Sequence, residues 1–306
     1  MRQAKISRHF IVSILCIIIS SGYTAHAQSN SLFPQGTTVY SDVPYANDTL
    51  QKHQLDIYLP ANATKNTPLV IWVHGGAWML NDKHADMGYM KQTVRSFIDS
   101  GYALASINYR YSTEAVFPAQ IQDCNEALEF LYSHADKYKL DKNKMAIIGF
   151  SAGGHLASLL ALSNNNTVKT FYANGKKPSF KIKAAIDFYG PSNFVMLASN
   201  PDTSVNNARN AVSVLLGAMP VERPDLATLA SPVTYVDKND PPFLIVHGEM
   251  DQSVPNTQSI LLHSYLNLAG VKNELVIVPG APHYGEMFDA AYIRKKIFML
   301  LRENLK

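Results

Sequence analysis

Residues 144–162, KMAIIGFSAGGHLASLLAL, constrain the fold more than any other stretch of this chain. Residues 145–148 form an apolar run typical of a strand buried on both faces, whereas residues 157–162 are good helix formers. Between them, GFSAG at 149–153 matches G-x-S-x-G, a sharp turn in which the glycines let strand and helix approach closely. The stretch therefore predicts a strand, a strained turn that exposes the Ser151 hydroxyl, and a helix whose N-terminus points towards that hydroxyl.

A second glycine-rich turn lies upstream and bears on how the pentapeptide is interpreted, because G-x-S-x-G alone is a weak signal. The apolar strand PLVIWV runs directly into HGGAW at 74–78. Two glycines after a strand let backbone N–H groups face a cleft that side chains would otherwise obstruct. We therefore predict an oxyanion hole formed by the N–H groups of Gly76 and Ala77 together with that of Ala152. The sequence leaves open which loop amides point inward, and an ordinary turn is the alternative.

A candidate acid follows the predicted buried strand at 242–247, in the sequence HGEMD. Glu249 and Asp251 are both placed where a side chain can be held at the carboxyl edge of a sheet. We prefer Asp251, because the QSVP sequence that follows turns the chain into a helix and leaves Asp251 at the apex of the loop. A turn-forming or helix-capping aspartate is the alternative.

A candidate base follows the last predicted strand, where VPGAPHYG holds a single histidine, His283. From a loop, its imidazole can reach a serine and accept its proton. Most other histidines are expected to lie at the surface or to have structural roles. Among these, His74 and His155 are expected to orient the local backbone. The chain order Ser151, Asp251, His283 is that of α/β-hydrolases and differs from the order in chymotrypsin-like and subtilisin-like proteases.

The hydrophobic pattern alternates strands with helices over most of the chain, with a helix predicted from about residue 118 to 138 and the next strand from 145 to 150. Such alternation predicts parallel strands joined by crossover helices. Two earlier strands, 37–43 and 51–59, are expected to pair antiparallel. Together with the chain order of Ser151, Asp251 and His283, this pattern predicts one domain over residues 28–306 with the α/β-hydrolase fold, a mostly parallel central sheet, helices on both faces and an antiparallel N-terminal strand pair. Residues 190–240 lack the alternation and are predicted to form a cap-like or lid-like insertion, with a simple packing excursion as the alternative.

Residues 1–27 have the pattern of a secretory signal peptide: basic residues, an apolar run at 10–19, and Ala-His-Ala at 25–27. The run is shorter than the roughly 20 residues that a bilayer span needs, so we expect cleavage near Ala27 and a secreted or periplasmic protein without a stable membrane anchor. Cleavage would remove three of the 27 basic residues and none of the 24 acidic ones. The near-neutral mature chain gives no electrostatic support for a nucleic-acid partner.

Five stretches resemble the α/β-hydrolases of the esterase/lipase group related to hormone-sensitive lipase. They are HGGAW at 74–78, the segment 107–124, GFSAGGHLA at 149–157, SPVTYV at 231–236 and HGEMDQSVP at 247–255. Within this group the chain is most similar to the secreted feruloyl or acetyl xylan esterase-like (BD-FAE-type) carboxylesterases. The resemblance spans essentially residues 39–304, and it is specific for the fold and the catalytic machinery but much less specific for the substrate.

Two departures from the pattern of the group concern the substrate site. The oxyanion loop is HGGAW instead of HGGG, and HGG-x-W is shared with kynurenine formamidase-like enzymes. Related esterases often carry an aspartate shortly after a Tyr-Gly-Pro turn, whereas Ser-Asn follows that turn here, at 192–193. Trp78, Tyr109 and Tyr189 follow strands at the edge where open α/β sheets bind ligands, so we predict substrate contacts for them, with core filling as the alternative.

We therefore predict an exported serine carboxylic-ester hydrolase that removes acetyl or hydroxycinnamoyl groups from polysaccharides, or acts on other short-chain esters, through an acyl-serine intermediate. Ser151 would attack the ester, His283 would accept its proton, and Asp251 would orient the imidazole. Arylformamidase-like or peptidase activity on the same fold, or a non-catalytic binding protein, are the alternatives. HExxH, paired CxxC and phosphate-cradling glycine motifs are absent from the sequence, so neither a metal ion nor another cofactor is expected. The sequence does not indicate an oligomeric state.

Overall fold

The computed structural model describes residues 32–199 and 206–305. The predictions for residues 1–27, including cleavage near Ala27, lie outside these ranges. Within them, no helix combines the length and apolar character that a membrane span requires.

The strands of the described residues are β1 (Thr38–Pro44), β2 (Gln54–Leu59), β3 (Thr67–Val73), β4 (Ala103–Ile107), β5 (Leu140–Phe150), β6 (Ile182–Phe188), β7 (Phe243–Gly248) and β8 (Asn273–Val278). The α-helices are α1 (Lys91–Asp99), α2 (Ala119–Ser133), α3 (Ala152–Ser163), α4 (Phe194–Ser199), α5 (Asn206–Leu216), α6 (Pro224–Leu229), α7 (Thr257–Leu268) and α8 (Ala291–Asn304).

The strands form one sheet in the order β1-β2-β4-β3-β5-β6-β7-β8. β1 pairs antiparallel with β2 and β2 pairs antiparallel with β4, whereas every pair from β4 to β8 is parallel. This arrangement confirms the predicted fold class, including its antiparallel N-terminal pair. Because parallel strands end at the same edge, the loops after β3, β5, β6, β7 and β8 meet there.

Helices cover both faces of the sheet, and each face carries an apolar layer. Leu128 of α2 packs in one layer and Val94 of α1 in the other. Ile147 and Ile148, neighbours in β5, face opposite layers, as side chains alternate along a strand. This two-sided burial explains why residues 145–148 of β5 form a continuous apolar run.

Several element boundaries differ from the predicted ones. α2 ends at Ser133 instead of near residue 138, and β5 begins at Leu140 instead of residue 145. Lys139 has a φ of 56°, which a right-handed helix cannot contain, and Leu140 then pairs with Thr67 of β3. The chain therefore turns into the sheet earlier than its hydrophobic pattern indicates.

Candidate active site

The turn between β5 and α3 holds Ser151 in a strained conformation. Its φ of 52° and ψ of −115° lie in a region that non-glycine residues rarely adopt, at a cost of about 1–3 kcal/mol. Glycines on both sides make the turn possible. A Cβ on Gly149 would lie 2.1 Å from the Gly153 carbonyl oxygen, and a Cβ on Gly153 would lie 2.1 Å from that of Val73. The position of the half-buried Ser151 therefore depends on the close approach of α3 to β3 and β5.

We expect Gly153→Ala to destabilise the fold by at least about 1–3 kcal/mol, because the new methyl group would overlap backbone carbonyl groups that cannot move independently of the sheet. Urea unfolding measures this change. Gly88→Ala is the matched control, since a Cβ on Gly88 meets nothing within 4 Å. Equal unfolding midpoints for the two variants would contradict the expectation.

The structure brings the three predicted triad residues into one hydrogen-bonded series. The Ser151 hydroxyl lies 2.8 Å from His283 Nε2, and His283 Nδ1 lies 2.6 Å from Asp251 Oδ2. Because a carboxylate only accepts hydrogen bonds, Nδ1 carries the proton and Nε2 is the acceptor for the serine hydroxyl. The geometry is that of a nucleophile, a base and an acid that orients the base.

The side chain of Asp251 is buried and held by four donors. Its Oδ1 accepts the N–H groups of Ser253 (2.8 Å) and Val254 (2.9 Å), while His247 Nε2 lies 3.0 Å from Oδ2, beside His283. Burial acts to raise the pKa of Asp251, but the hydrogen bonds from His247 and His283 outweigh it and hold this pKa well below its usual range. Asp251 is therefore ionised at neutral pH.

The alternative acid, Glu249, lies outside this series. Its side chain is exposed, and Oε2 accepts the N–H of Gly280 at 2.9 Å. Of the two candidate acids, the geometry places only Asp251 against His283.

The three amides predicted to form an oxyanion hole are available to a ligand. Gly76 and Ala77 have φ values of 118° and 53°, in a tight turn directly after β3. Ala152 begins α3, and the first N–H groups of a helix have no acceptor within it. Within the described residues, the N–H groups of Gly76, Ala77 and Ala152 have no hydrogen-bond acceptor.

The peptide between Gly75 and Gly76 is fixed from its carbonyl side. The Gly75 oxygen accepts hydrogen bonds from His74 Nδ1 at 2.7 Å and from Asn81 Nδ2 at 3.3 Å. The carbonyl and the N–H of one trans peptide unit point in opposite directions. Holding the Gly75 oxygen therefore fixes the direction of the Gly76 N–H.

A cleft of about 540 Å³ has Ser151 and His283 in its lining. The loop between β3 and α1 contributes a polar part of this lining, which comprises Asn81, Asp86 and Tyr89. The apolar part comes mainly from the segments after β6 and β7 and comprises Pro191, Leu197, Ala211, Val212 and Val254. The cleft therefore offers a substrate two chemically different environments.

Two of the three aromatic residues predicted to contact substrate line this cleft. Apart from the part that lines the cleft, the Trp78 side chain is buried. The ring centroids of Tyr189 and His283 lie 4.9 Å apart. Tyr109 does not fit its predicted role. It is fully buried beneath the oxyanion loop, where its hydroxyl donates to the His74 carbonyl at 2.9 Å and its ring stacks on His74 at 4.3 Å. Tyr109 therefore supports the loop and lies outside the cleft lining.

His155 has a wider role than the local orientation expected from the sequence. It is fully buried on α3, where Nδ1 accepts the Trp78 indole N–H at 3.2 Å and Nε2 donates to the Ala230 carbonyl at 2.8 Å. Its ring stacks on Phe194 with centroids 4.7 Å apart. His155 thus joins α3 to the loop at 74–78 and to the predicted insertion at 190–240.

Two buried histidines make the stability of the fold depend on pH. Burial lowers the pKa of His74 and of His155 to about 4. At these two positions the unfolded chain, with histidine pKa values near 6.5, therefore binds more protons than the folded chain between these limits. The contribution of the two histidines to the free energy of unfolding is fully retained above about pH 6.5 and falls towards about pH 4, on the order of 3 kcal/mol for each histidine.

Urea unfolding from pH 7 to pH 4 tests this dependence. His155→Gln should make the decline shallower, because one of the two groups that protonate on unfolding is removed. His134→Gln, at an exposed site just after α2, is the matched control and should leave the decline unchanged. A decline as steep in His155→Gln as in the unaltered protein would contradict the assignment.

Sequence reasoning missed the polar part of the cleft. Asp86 and Tyr89 lie in a loop without hydrophobic periodicity, so no pattern places them near Ser151. A weak signal was present, because charged and aromatic residues after a strand at the carboxyl edge are candidates for ligand contact.

The site is found in a chain similar to known esterases. A model of the BD-FAE family matches residues 55–266. The protein named "Probable carboxylic ester hydrolase LipM" of Mycobacterium tuberculosis is 31% identical over 232 residues, which cover 73% of this chain and 49% of that protein. The chain spans between 49% and 60% of the length of three such curated relatives.

Solved structures include two with sequence identity above 30%. A truncated form of a carbohydrate esterase from gut microbiota has 32% identity and a TM-score of 0.76, with 88% of this chain and 98% of that chain covered. A bifunctional GH43-CE protein from Bacteroides eggerthii has 35% identity and a TM-score of 0.77, with 88% of this chain and 35% of that chain covered.

Proposed function

Because the chain belongs to the BD-FAE family, we propose that it is a serine carboxylic-ester hydrolase. The observation that carries the proposal is the series of hydrogen bonds from Ser151 through His283 to Asp251, beside three backbone N–H groups without acceptors in the described residues. The names of similar proteins, which include esterases and a carboxylic ester hydrolase, agree with it.

The first half-reaction forms an acyl-enzyme. His283 Nε2 takes the proton of the Ser151 hydroxyl as Oγ attacks the carbonyl carbon of the ester. Negative charge then develops on the former carbonyl oxygen, and the N–H groups of Gly76, Ala77 and Ala152 donate hydrogen bonds to it. When the C–O bond of the ester breaks, the imidazolium returns its proton from Nε2 to the leaving alcohol.

The second half-reaction repeats these steps with water. His283 removes a proton from the water as its oxygen attacks the acyl carbon, and the same N–H groups stabilise the oxyanion. The bond to Ser151 Oγ then breaks, Oγ regains a proton from His283, and the carboxylic acid leaves. Asp251 keeps Nδ1 protonated and stabilises the imidazolium in both halves.

The finer proposal concerns the substrate and the location of the protein. We infer that acetyl or hydroxycinnamoyl esters of polysaccharides are its substrates, with other short-chain esters also accepted. Similarity to a carbohydrate esterase supports this choice, and so does the predicted signal peptide, because a polymer cannot reach a cytoplasmic enzyme. Cleavage near Ala27 would leave the enzyme secreted or periplasmic.

Release of acetate from acetylated xylan and of ferulate from feruloylated arabinoxylan tests the substrate proposal. We expect residues 28–306 to release at least one of these acids, and Ser151→Ala to release neither. Hydrolysis of p-nitrophenyl acetate without release from either polymer would overturn the polysaccharide assignment but keep the esterase. Fractionation of cells that express residues 1–306 tests export, and a protein retained in the cytoplasm at its full mass would contradict it.

A further inference from the structure

Asp86 is a carboxylate in the cleft lining that the proposed reaction does not use. Its Oδ2 accepts the Gly75 N–H at 2.7 Å, and its Oδ1 accepts the Tyr89 hydroxyl at 2.6 Å. The Tyr89 hydroxyl also lies 2.8 Å from that of Tyr189. Gly75 belongs to the oxyanion loop, and a Cβ built on it would lie 2.8 Å from the carbonyl oxygen of Phe150, the residue before Ser151. Asp86 is therefore held close to the reacting centre.

The carboxylate of Asp86 has no cation as a direct partner among the described residues. In the described part of the chain it forms no ion pair with Lys, Arg or His. Burial raises the pKa of Asp86, while the hydrogen bonds from Gly75 and Tyr89 and the attraction of His283 act in the opposite direction. A half-buried carboxylate without a cation is costly unless donors surround it.

Asp86 has acceptor capacity left for a ligand. An ionised carboxylate offers about four lone-pair sites, and Gly75 and Tyr89 use two of them. Among the described residues, no other group donates to this carboxylate. In the free protein, water can fill the remaining sites because Asp86 lines the open cleft.

Substrate binding changes this balance because it displaces water from the cleft. The apolar lining residues, such as Leu197 and Val212, cannot donate hydrogen bonds to the carboxylate. An ester group cannot do so either, since its two oxygens only accept. An ester without a donor would therefore leave acceptor sites of Asp86 unpaired, which is unfavourable. An anionic substrate group beside Asp86 would add repulsion.

We propose that Asp86 accepts a hydrogen bond from a neutral hydroxyl group of the substrate and so selects hydroxylated esters. This inference rests on the proposed esterase function and names the substrate class of the same site. The hydroxyl could belong to the alcohol part, as in a sugar or polyol, or to the acyl part, as in a hydroxycinnamoyl group. Both sources present the same donor to the carboxylate.

Matched ester pairs separate the two sources. On the alcohol side, 2-hydroxyethyl acetate is compared with 2-methoxyethyl acetate. On the acyl side, methyl 4-hydroxycinnamate is compared with methyl 4-methoxycinnamate. Each methoxy compound keeps the ether-like oxygen but has no donor. In at least one pair we expect kcat/KM of the unaltered protein to be roughly 10- to 100-fold higher for the hydroxyl compound.

Variants show whether Asp86 itself makes the contact. Asp86→Asn should bring the hydroxyl-to-methoxy ratio of kcat/KM to within about 3-fold of one, because the single acceptor oxygen of the amide is engaged by the Gly75 N–H and its NH2 group can only donate. Tyr89→Phe removes the link to Tyr189 but keeps the carboxylate, so the preference should remain even if all rates fall. Asp82→Asn, at an exposed position in the same loop, is the matched control and should behave like the unaltered protein.

Two results would overturn the inference. One is a hydroxyl-to-methoxy ratio of kcat/KM near one in both ester pairs for the unaltered protein, and the other is a preference for the hydroxyl compound that survives Asp86→Asn. The first needs no variant, so the test holds even if Asp86→Asn does not fold. Activity on p-nitrophenyl acetate distinguishes a failure of the Asp86 inference from a failure of the proposed esterase function. Hydrolysis of that ester without a hydroxyl preference would refute only the role of Asp86, whereas inactivity on every ester would refute the proposed function and the inference together.

Discussion

Replacing Ser151 with alanine is expected to lower kcat/KM for p-nitrophenyl acetate by about 10⁴- to 10⁶-fold. Without Oγ, no acyl-enzyme can form, and only the backbone N–H groups and the shape of the cleft remain to assist attack by water. The fold should persist, because Ser151 donates its backbone N–H to the Phe188 carbonyl at 2.8 Å and this bond does not involve the side chain.

Steady-state hydrolysis rates and circular dichroism of the same samples check this expectation. Ser133→Ala, at an exposed position at the end of α2, is the control for a lost serine hydroxyl and should keep full activity. A folded Ser151→Ala protein with more than about a tenth of the original kcat/KM would refute the nucleophile assignment.

Asp251→Asn is expected to lower kcat/KM by about 10⁴-fold with little change in structure. Oδ1 accepts two backbone N–H groups, so the amide nitrogen of the new side chain would take the place of Oδ2. That nitrogen donates to His283 Nδ1 and moves the imidazole proton to Nε2. Nε2 could then no longer accept the proton of Ser151.

Glu249→Gln is the matched control, because Glu249 is the other acid in the same short segment and its carboxylate contacts Gly280 instead of the histidine. We expect its kcat/KM to stay within about 3-fold of the original value. If Glu249→Gln abolished activity while Asp251→Asn retained it, the acid would have been assigned to the wrong residue.

The features that sequence predicts well are those with a local cause. The elbow around Ser151 needs glycines at fixed positions and an apolar strand before it, and both requirements are visible in the sequence. The order of Ser151, Asp251 and His283 along the chain follows from the order of strands that end at one edge of the sheet. The sequence does not show that the three side chains lie within hydrogen-bonding distance of one another, because this depends on the folded structure.

Other features depend on how loops are packed, and the sequence does not encode them locally. Tyr109 directly follows the strand end, yet its ring stacks on His74 beneath the loop and does not enter the cleft. Asp86 and Tyr89 reach the cleft only because their irregular loop folds back over the end of β5. No helix is predicted from the sequence at α1, although Val94, Phe97 and Ile98 repeat at helical spacing and are all buried.

The most direct test of the central claim is the intact mass of the protein after treatment with a p-nitrophenyl alkylphosphonate, which mimics the ester and cannot be released by water. We predict the addition of one phosphonyl group for each chain, located on Ser151 by peptide mapping, and no addition to Ser151→Ala. A label on another residue, or none on a folded protein that hydrolyses p-nitrophenyl acetate, would contradict a reaction through an acyl group on Ser151.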